Sequence, residues 1–547
     1  MRPLTRPSAH RYATLAILSV MICLLAGCEP APRESGFMSV SEYSEVYLWP
    51  LDADADLSTA RLRSAIWLRG FMPESPDPDM TRGETFRAPN RRMEFPSDVA
   101  WEVLTVDDEA EAFIASVRGE LAGIVVGCDN YRSPEFDWHD ALWQEVRWLT
   151  CYWIPENLPA HFESLEWYHG PAFTDDSAMA QTLRHSPRLS SLSFFFFDAK
   201  EYPLPDLPRD MKVKSLTLAM TQEWEAPSLA SLTTWPELET LSLREGSVSG
   251  ELLQDVDRCV TLRNVRLYGC DISEGAIAAL ADLPALEEVV IVEYEARLTT
   301  AGELRALPHL KRLCIDMADV PPEAFAAIGG MRDLEFLWIS TGSDITATDI
   351  AFLSDLPNLR AVTLNCRNGA DAATMTEIIH SLSPAESLEQ LDIDFGWYND
   401  PAVMTDVDVT ALVETFPNLR DLRLPRGVAI TDAELAALCE LEQLEVLCIE
   451  SSQPLSAEAL AVLASLPNLK HLEIGQLDNT GAEQIGQLTQ LESLAISGPL
   501  DDDAIASLLK IKGLEYLDVN STAITFEGLS RLAGLRKLRR ITSFDGV

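Results

Sequence analysis

Leu286-Glu287-Glu288-Val289-Val290-Ile291, Leu310-Lys311-Arg312-Leu313-Cys314-Ile315 and Leu334-Glu335-Phe336-Leu337-Trp338-Ile339 begin 24 residues apart and share the pattern Leu-x-x-Leu/Val-x-Leu/Ile. The same anchors recur upstream as Leu262-Val265-Leu267 and Leu238-Leu241-Leu243. Downstream they continue through Leu359-Val362-Leu364, Leu388-Leu391-Ile393, Leu419-Leu422-Leu424, Leu444-Leu447-Ile449, Leu469-Leu472-Ile474, Leu491-Leu494-Ile496, Leu514-Leu517-Val519 and Leu535-Leu538-Ile541. A fixed period over so many units means stacked coils in place of one globular core. Val213-Leu216-Leu218 and Leu189-Leu192-Phe194 fit the same frame, and Phe162-Leu165-Trp167, Val146-Leu149-Cys151 and Trp101-Leu104-Val106 fit it with looser spacing.

Within a unit, Leu-x-Leu alternation has the period of two that marks a short strand with one buried side. The second half of the unit reads as a helix. In Thr431-Asp432-Ala433-Glu434-Leu435-Ala436-Ala437-Leu438, a Thr-x-x-Glu capping box opens a run with leucines at threefold spacing. Comparable helices are expected over Glu274–Leu283, Ala301–Leu307, Ala457–Leu466 and Asp502–Leu509. Pro284, Pro308, Pro357, Pro417 and Pro467 stop helices before the next strand, since proline cannot continue the hydrogen-bond ladder.

This pattern resembles the leucine-rich-repeat family, in particular ribonuclease-inhibitor-like horseshoes with bacterial units of about 24 residues. The resemblance implies an α/β solenoid with parallel strands on the concave face and helices on the convex face. It covers residues 100–547, clearly from about 146. Where the family places Asn or Cys eight residues after the first Leu, to bond the backbone of the turn, only Cys270 matches. Two units are long, and their insertions within residues 365–418 must loop outward because each coil's interior is filled by its neighbours.

At the N-terminus, Arg2, Arg6 and Arg11 precede the apolar run Ala13–Ala26, a signal-peptide plan too short to span a bilayer comfortably. The run ends in Leu25-Ala26-Gly27-Cys28, which resembles the lipobox of bacterial lipoproteins. That resemblance implies removal of residues 1–27, acylation of Cys28 and a lipid anchor in a membrane of the cell envelope. Glu29 in place of Asp favours the outer membrane in a Gram-negative host. Residues 28–99, with the Pro-rich Met72-Pro73-Glu74-Ser75-Pro76-Asp77-Pro78, read as a tether and N-terminal cap. The ten cysteines include no C-x-x-C pair, and those within the repeats fall mostly at interior positions, where few or no disulfides are expected.

Composition narrows the function. With 86 Asp+Glu against 42 Lys+Arg the formal net charge is −44, which repels phosphate backbones, so nucleic acid is not expected as a partner. Asp52-x-Asp54-x-Asp56 has the opening spacing of a calcium loop, but Leu57 and Arg63 stand where Gly and a bidentate Glu are needed. The sequence holds no H-x-x-x-H zinc spacing, no G-x-S-x-G elbow and no glycine-rich phosphate loop, so neither a cofactor, a metal nor an enzyme activity is expected. Repeats of this kind offer a surface. Strand residues between the buried anchors point off the sheet, and there Tyr268, Val290, Val292, Phe336 and Trp338 form an aromatic and apolar patch beside the acidic Asp392, Asp394, Asp421, Glu450 and Glu473. The expected function is non-catalytic binding of another protein at this patch. Trp397 and Tyr398, in the longer insertion, form a second candidate contact for a peptide or a sugar ring. A glycan-binding role through Trp338 and Trp397, an envelope scaffold and a cross-coil enzyme site are the alternatives.

Overall fold

The computed structural model describes residues 67–71, 82–87, 100–103, 124–128, 146–151, 158, 160–171, 176–195, 209–219, 229–297, 300–342, 345–366, 387–394, 408–424, 430–449, 454–520, 522–525, 528–529, 531–538 and 540–542. Cys28, Trp397, Tyr398, Glu450 and the Asp52–Asp56 run lie outside them. The chain divides into two units, one running through residue 195 and the other from 196 onward.

In the first unit, β1 (Trp67–Phe71) pairs antiparallel with both β2 (Arg82–Arg87) and β3 (Ala100–Val103). From β3 the pairing turns parallel through β4 (Ile124–Cys128), β5 (Val146–Cys151), β6 (Trp167–Pro171) and β7 (Ser191–Phe195). Leu149, Phe162, Leu165, Tyr168, Leu192 and Phe194 are buried under the helix Ala178–Arg184, whose Met179 and Leu183 are buried too.

The second unit carries the regular repeat. Its parallel strands are β8 (Ser215–Ala219), β9 (Thr240–Arg244), β11 (Asn264–Tyr268), β13 (Glu288–Arg297), β14 (Arg312–Asp319), β15 (Phe336–Thr341) and β16 (Ala361–Cys366), with the small pair β10 (Ser247–Val248) and β12 (Asp271–Ile272) beside them. They continue as β17 (Gln390–Asp394), β18 (Asp421–Arg423), β19 (Val446–Ile449), β20 (His471–Ile474), β21 (Ser493–Ser497), β22 (Tyr516–Asn520) and β23 (Arg540–Thr542). The register keeps anchor beside anchor: Leu241, Val265, Val289, Leu313, Leu337, Val362 and Leu391 stand in one row, none more than 2% exposed. Each fully buried aliphatic side chain contributes roughly 1.5–3 kcal/mol, so the rows of anchors are the core.

The helical side is shorter than its periodicity suggests. The expected Glu274–Leu283 helix is one α-turn, Ala276–Ala279, followed by the 3-10 turn Leu280–Asp282, and Ala301–Ala306 is 3-10 throughout. A unit of 24 residues that spends five on a strand and several on two turns leaves room for only one or two helical turns. The capping box at Thr431 and Glu434 forms as the sequence indicates. The Asp502 carboxylate accepts the N–H of Thr525 one repeat later, at 2.7 Å. Glu303 likewise accepts the N–H groups of Gly275 and Ala278 in the preceding repeat, at 2.7 and 3.0 Å. These acids stitch neighbouring coils together.

A charge ladder runs beside the strands. The residue after each first anchor alternates in sign over twelve repeats: Lys214, Glu239, Arg263, Glu287, Lys311, Glu335, Arg360, Glu389, Arg420, Glu445, Lys470 and Glu492. Each of these residues from Glu239 onward donates its N–H to the carbonyl of the one before, for example Glu287 to Arg263 at 2.8 Å and Arg420 to Glu389 at 2.7 Å. Their side chains pair as well, Arg263–Glu287 at 2.8 Å, Lys311–Glu287 at 3.3 Å, Arg360–Glu389 at 2.8 Å and Arg420–Glu445 at 2.7 Å. Slipping the stack by one repeat would set like charges side by side, so the ladder specifies register more than it adds stability. Glu287 sits between two cations. Glu287→Lys is expected to lower unfolding free energy by about 1 kcal/mol in urea titrations at low salt, with the loss shrinking at high ionic strength; a salt-independent loss, or none, would show that the ladder carries no electrostatic information.

Candidate functional site

Side chains that alternate with the anchors point away from the helices, and register assembles them into rows on that outward face. The middle row runs Ser242, Arg266, Val290, Cys314, Trp338, Thr363, Asp392, Arg423, Cys448, Glu473, Ala495 and Asp518. A second row holds Glu288, Arg312 and Phe336, and a third Arg244, Tyr268, Val292, Asp316, Ser340 and Asn365. All five patch residues therefore share one face. It is built where the strands are longest, ten residues in β13 and eight in β14.

Their exposure differs. Tyr268 and Val290 are half-buried, whereas Val292, Phe336 and Trp338 are 2%, 7% and 6% exposed. β15 is buried at every position, on both of its faces. Part of the cover comes from charged neighbours: the Arg312 guanidinium lies over the Phe336 ring at 5.3 Å, and Arg244 lies over Tyr268 at 5.5 Å. Such cation–π stacks hold the aromatic rings in fixed orientations.

Glu288 organises one end of the patch. Its carboxylate takes bonds from Arg266 Nε and Nη2 at 3.0 and 2.9 Å and from Arg312 Nε at 3.1 Å. Burial works against the Arg266 charge, but Glu288 and Tyr268 more than offset it and hold the guanidinium firmly protonated. Further along, Arg423 bonds Asp421 at 3.0 Å and lies beside Cys448 Sγ at 3.6 Å. Burial pushes the Asp421 carboxyl up in spite of Arg423, and burial lowers the His471 imidazole. Paired and half-buried, this second cluster is a polar seam.

Between the two clusters, Trp338 Nε1, Thr363 Oγ1 and Asn365 Oδ1 are buried with no hydrogen-bond partner. Orphaned buried polar atoms are uncommon in folded proteins, and three on adjacent strands call for a cause. Thr363 and Asn365 were not among the residues singled out from the sequence. Period-two alternation places them on this face, but nothing in a lone Thr or Asn signals a missing partner. Cys270 performs the turn role its position suggests, its thiol donating to the carbonyls of Leu243 at 3.3 Å and of Glu245 and Tyr268 at 3.5 Å. At the basic last coil, Arg531 donates to the Asp502 carbonyl at 3.3 Å. Among the described residues no group of three or more His, Cys, Asp or Glu is placed to hold a metal ion, and no helix is long and apolar enough to cross a membrane.

Six described cysteines are free thiols. Burial pushes Cys259 up to about 11 and Cys270 up to about 12, and raises Cys314, Cys439 and Cys448 as well. Since the thiolate is the reactive form, iodoacetamide at about pH 8 is expected to leave these five unmodified in the native protein and to label them in denaturant. Mass spectrometry of the labelled peptides checks this; rapid native labelling of any of the five would place it in a more open environment.

A family model described as a leucine-rich repeat region matches residues 212–484. The sequence matches no curated protein. Among solved structures, the chain is similar to an internalin from Listeria monocytogenes, with 20% identity over 59% of this chain and 86% of that one and a TM-score of 0.39. It is also similar to TLR13 in a complex with ssRNA13, with 16% identity over 74% of this chain and a TM-score of 0.39; the match spans 53% of the TLR13 chain.

Proposed function

We propose that this chain, a leucine-rich-repeat protein, is an exported, lipid-anchored binding module whose outward sheet face recognises another protein. The observation that carries the reading is the in-register row system. Successive parallel strands present aromatic, charged and polar side chains on a platform locked by stacked anchors, with Tyr268 and Val290 accessible beside the Arg266–Glu288–Arg312 cluster. A platform fixed before binding loses little entropy on association, the property that lets a few residues dominate an interface. The polar groups there are paired with one another in place of converging on a point where a substrate would react, which supports binding over catalysis. Export and anchoring rest on the leader and on Leu25-Ala26-Gly27-Cys28.

Crosslinked capture from the host's envelope fraction tests the binding face. Wild type is expected to retain a specific protein that a Tyr268→Ser/Val290→Ser variant, shown to be folded, loses, while Val260→Ser, at an exposed position outside the strands, keeps it. Equal capture by all three would move the site off this face, and no specific capture would end the protein-binding reading. For the anchor, Cys28→Ser is expected to shift the protein from the washed membrane fraction to the soluble one; retention in membranes would mean that the attachment lies elsewhere.

A further inference from the structure

The cations of the charge ladder stand beside acids; a second set does not. Lys510, Lys512, Arg536 and Lys537 are exposed, and among the described residues none of their side chains takes part in an ion pair or a hydrogen bond. Residues 504–514 hold Lys510 and Lys512 and no acid, and residues 528–544 hold Arg531, Arg536, Lys537, Arg539 and Arg540 and no acid, in a chain of net charge −44. The two stretches are neighbours in space. β22 pairs with β23 at an offset of 24 residues, Tyr516 beside Arg540, which puts Lys512 and Gly513 at the coil positions of Arg536 and Lys537. Both turns close alike, Leu514 N–H donating to the Ile511 carbonyl at 3.2 Å and Leu538 N–H to that of Leu535 at 3.1 Å. Earlier coils give the position of Lys512 and Arg536 to Pro284, Pro308, Pro357, Pro417 and Pro467. Neighbouring strands lie about 4.8 Å apart, so like charges here stand on adjacent coils, the arrangement that the ladder avoids.

An anionic partner relieves that repulsion, and the surroundings indicate its form. A protein interface is built around apolar or aromatic anchors, and single-stranded nucleic acid is held by aromatic stacking as well as by charge. Among the described residues the one large hydrophobic side chain that is exposed is Val260, some 250 residues before these turns. A bilayer surface of anionic headgroups needs no such anchor, because basic side chains alone bind it. The acids close by in sequence stand apart from the cations. Glu515 is half-buried in the ladder row, while Asp501, Asp502 and Asp503 precede the helix Ile505–Leu508, beyond which Lys510 and Lys512 lie. Asp502 is engaged, accepting from Thr525 N–H at 2.7 Å and Oγ1 at 2.6 Å. At about 0.1 M salt, exposed charges more than about 10 Å away are largely screened, so a basic face acts locally even on an acidic protein.

We propose that Lys510, Lys512, Arg536 and Lys537 form a docking face for an anionic bilayer surface, the membrane on which the chain is anchored. This goes beyond the anchored binding module, on which it rests for the nearness of a membrane, by assigning a second and electrostatic contact. The anchor supplies attachment and the basic face supplies orientation, since the acidic remainder of the surface is repelled by the same headgroups. Each cation held near such a surface strengthens binding by about fivefold, so the face alone binds weakly and reversibly.

The test is flotation of the full chain, made as Cys28→Ser so that no acyl chain contributes, with vesicles of phosphatidylcholine alone or with phosphatidylglycerol added. At about 0.1 M salt the protein is expected to float with the phosphatidylglycerol vesicles and not with phosphatidylcholine alone, and about 0.5 M salt is expected to release it. Lys510→Gln, Lys512→Gln, Arg536→Gln and Lys537→Gln together are expected to weaken vesicle binding by at least about tenfold. Their urea midpoint is expected to hold or rise, because like charges on adjacent coils are removed. Arg305→Gln/Arg332→Gln, at exposed cations of other repeats, is expected to leave binding unchanged. A short DNA duplex at matched phosphate concentration is expected not to displace the protein; displacement would make this a general polyanion site and overturn the proposal. So would absent binding to phosphatidylglycerol vesicles, or unchanged binding in the fourfold variant with a lowered midpoint, the mark of a role confined to the fold. If vesicle binding fails while Cys28→Ser leaves washed envelope membranes, this proposal falls and the anchor stands. If vesicle binding is seen while Cys28→Ser stays in membranes washed at high salt, the Cys28 anchor falls and the basic face stands.

Discussion

Everything in the second unit depends on the backbone ladder that fixes one repeat against the next. Glu287 N–H donates to Arg263, Lys311 to Glu287, Glu335 to Lys311 and onward, each within 3.0 Å, while the anchors behind them stay in contact row by row. A repeat cannot bury its own leucines; only its neighbour can, so stability is shared along the stack. The bonds themselves do not discriminate, since any strand fits any other. The alternating charges beside them do, because they make the correct neighbour differ from the one a repeat further on. Fold and register are thus set by two different interactions at the same residues, one generic and one specific.

Seen this way, the face turned away from the helices is a consequence. Once anchors are aligned, the intervening side chains have no freedom to leave their rows, and a cluster such as Arg266–Glu288–Arg312 closes across three strands without further design. Half-buried ion pairs of this sort add little net stability, because desolvation offsets attraction, but they fix positions. The same logic applies to Arg423 and Asp421. Two fixed polar clusters therefore bracket the stretch of β15 and β16 where the polar atoms are left unmet.

Much of this was legible in the sequence, and the limits follow from what periodicity encodes. Leu-x-Leu alternation says which way a residue points, so Tyr268, Val290, Val292, Phe336 and Trp338 were assigned to one face, where they are found. It does not say how deeply a residue is covered. Phe336 and Trp338 are both nearly enclosed, and over the Phe336 ring part of the cover is the Arg312 guanidinium. Helix length is ambiguous for a related reason: leucines at threefold spacing suit a 3-10 turn as well as an α-helix, and Ala301–Ala306 takes the tighter form. The charge ladder was present in the sequence at one fixed position per unit, but it emerges only when that position is read down the column of repeats. Asp502 illustrates the remaining gap, since an acid before a helix suits that helix, and only the coil-to-coil packing directs it to Thr525.

The ordering of costs along the face leads to one further step. Some of the charges that the strands carry are paired with an opposite charge in the same or a neighbouring strand, as Arg266 is with Glu288 and Arg423 with Asp421. Where they carry neutral polar groups, on β15 and β16, the pairing stops. Selection for stability alone would remove the second class first, since replacing an orphaned hydroxyl by a methyl is nearly free and restores no lost bond. A stack that holds Leu313, Leu337, Val362 and Leu391 at 2% exposure or less keeps an indole N–H, a hydroxyl and an amide oxygen buried and unmet beside that row. Backbone pairing on both sides of β15 and β16 fixes where these side chains leave the sheet, which limits the partners that they can reach within the protein.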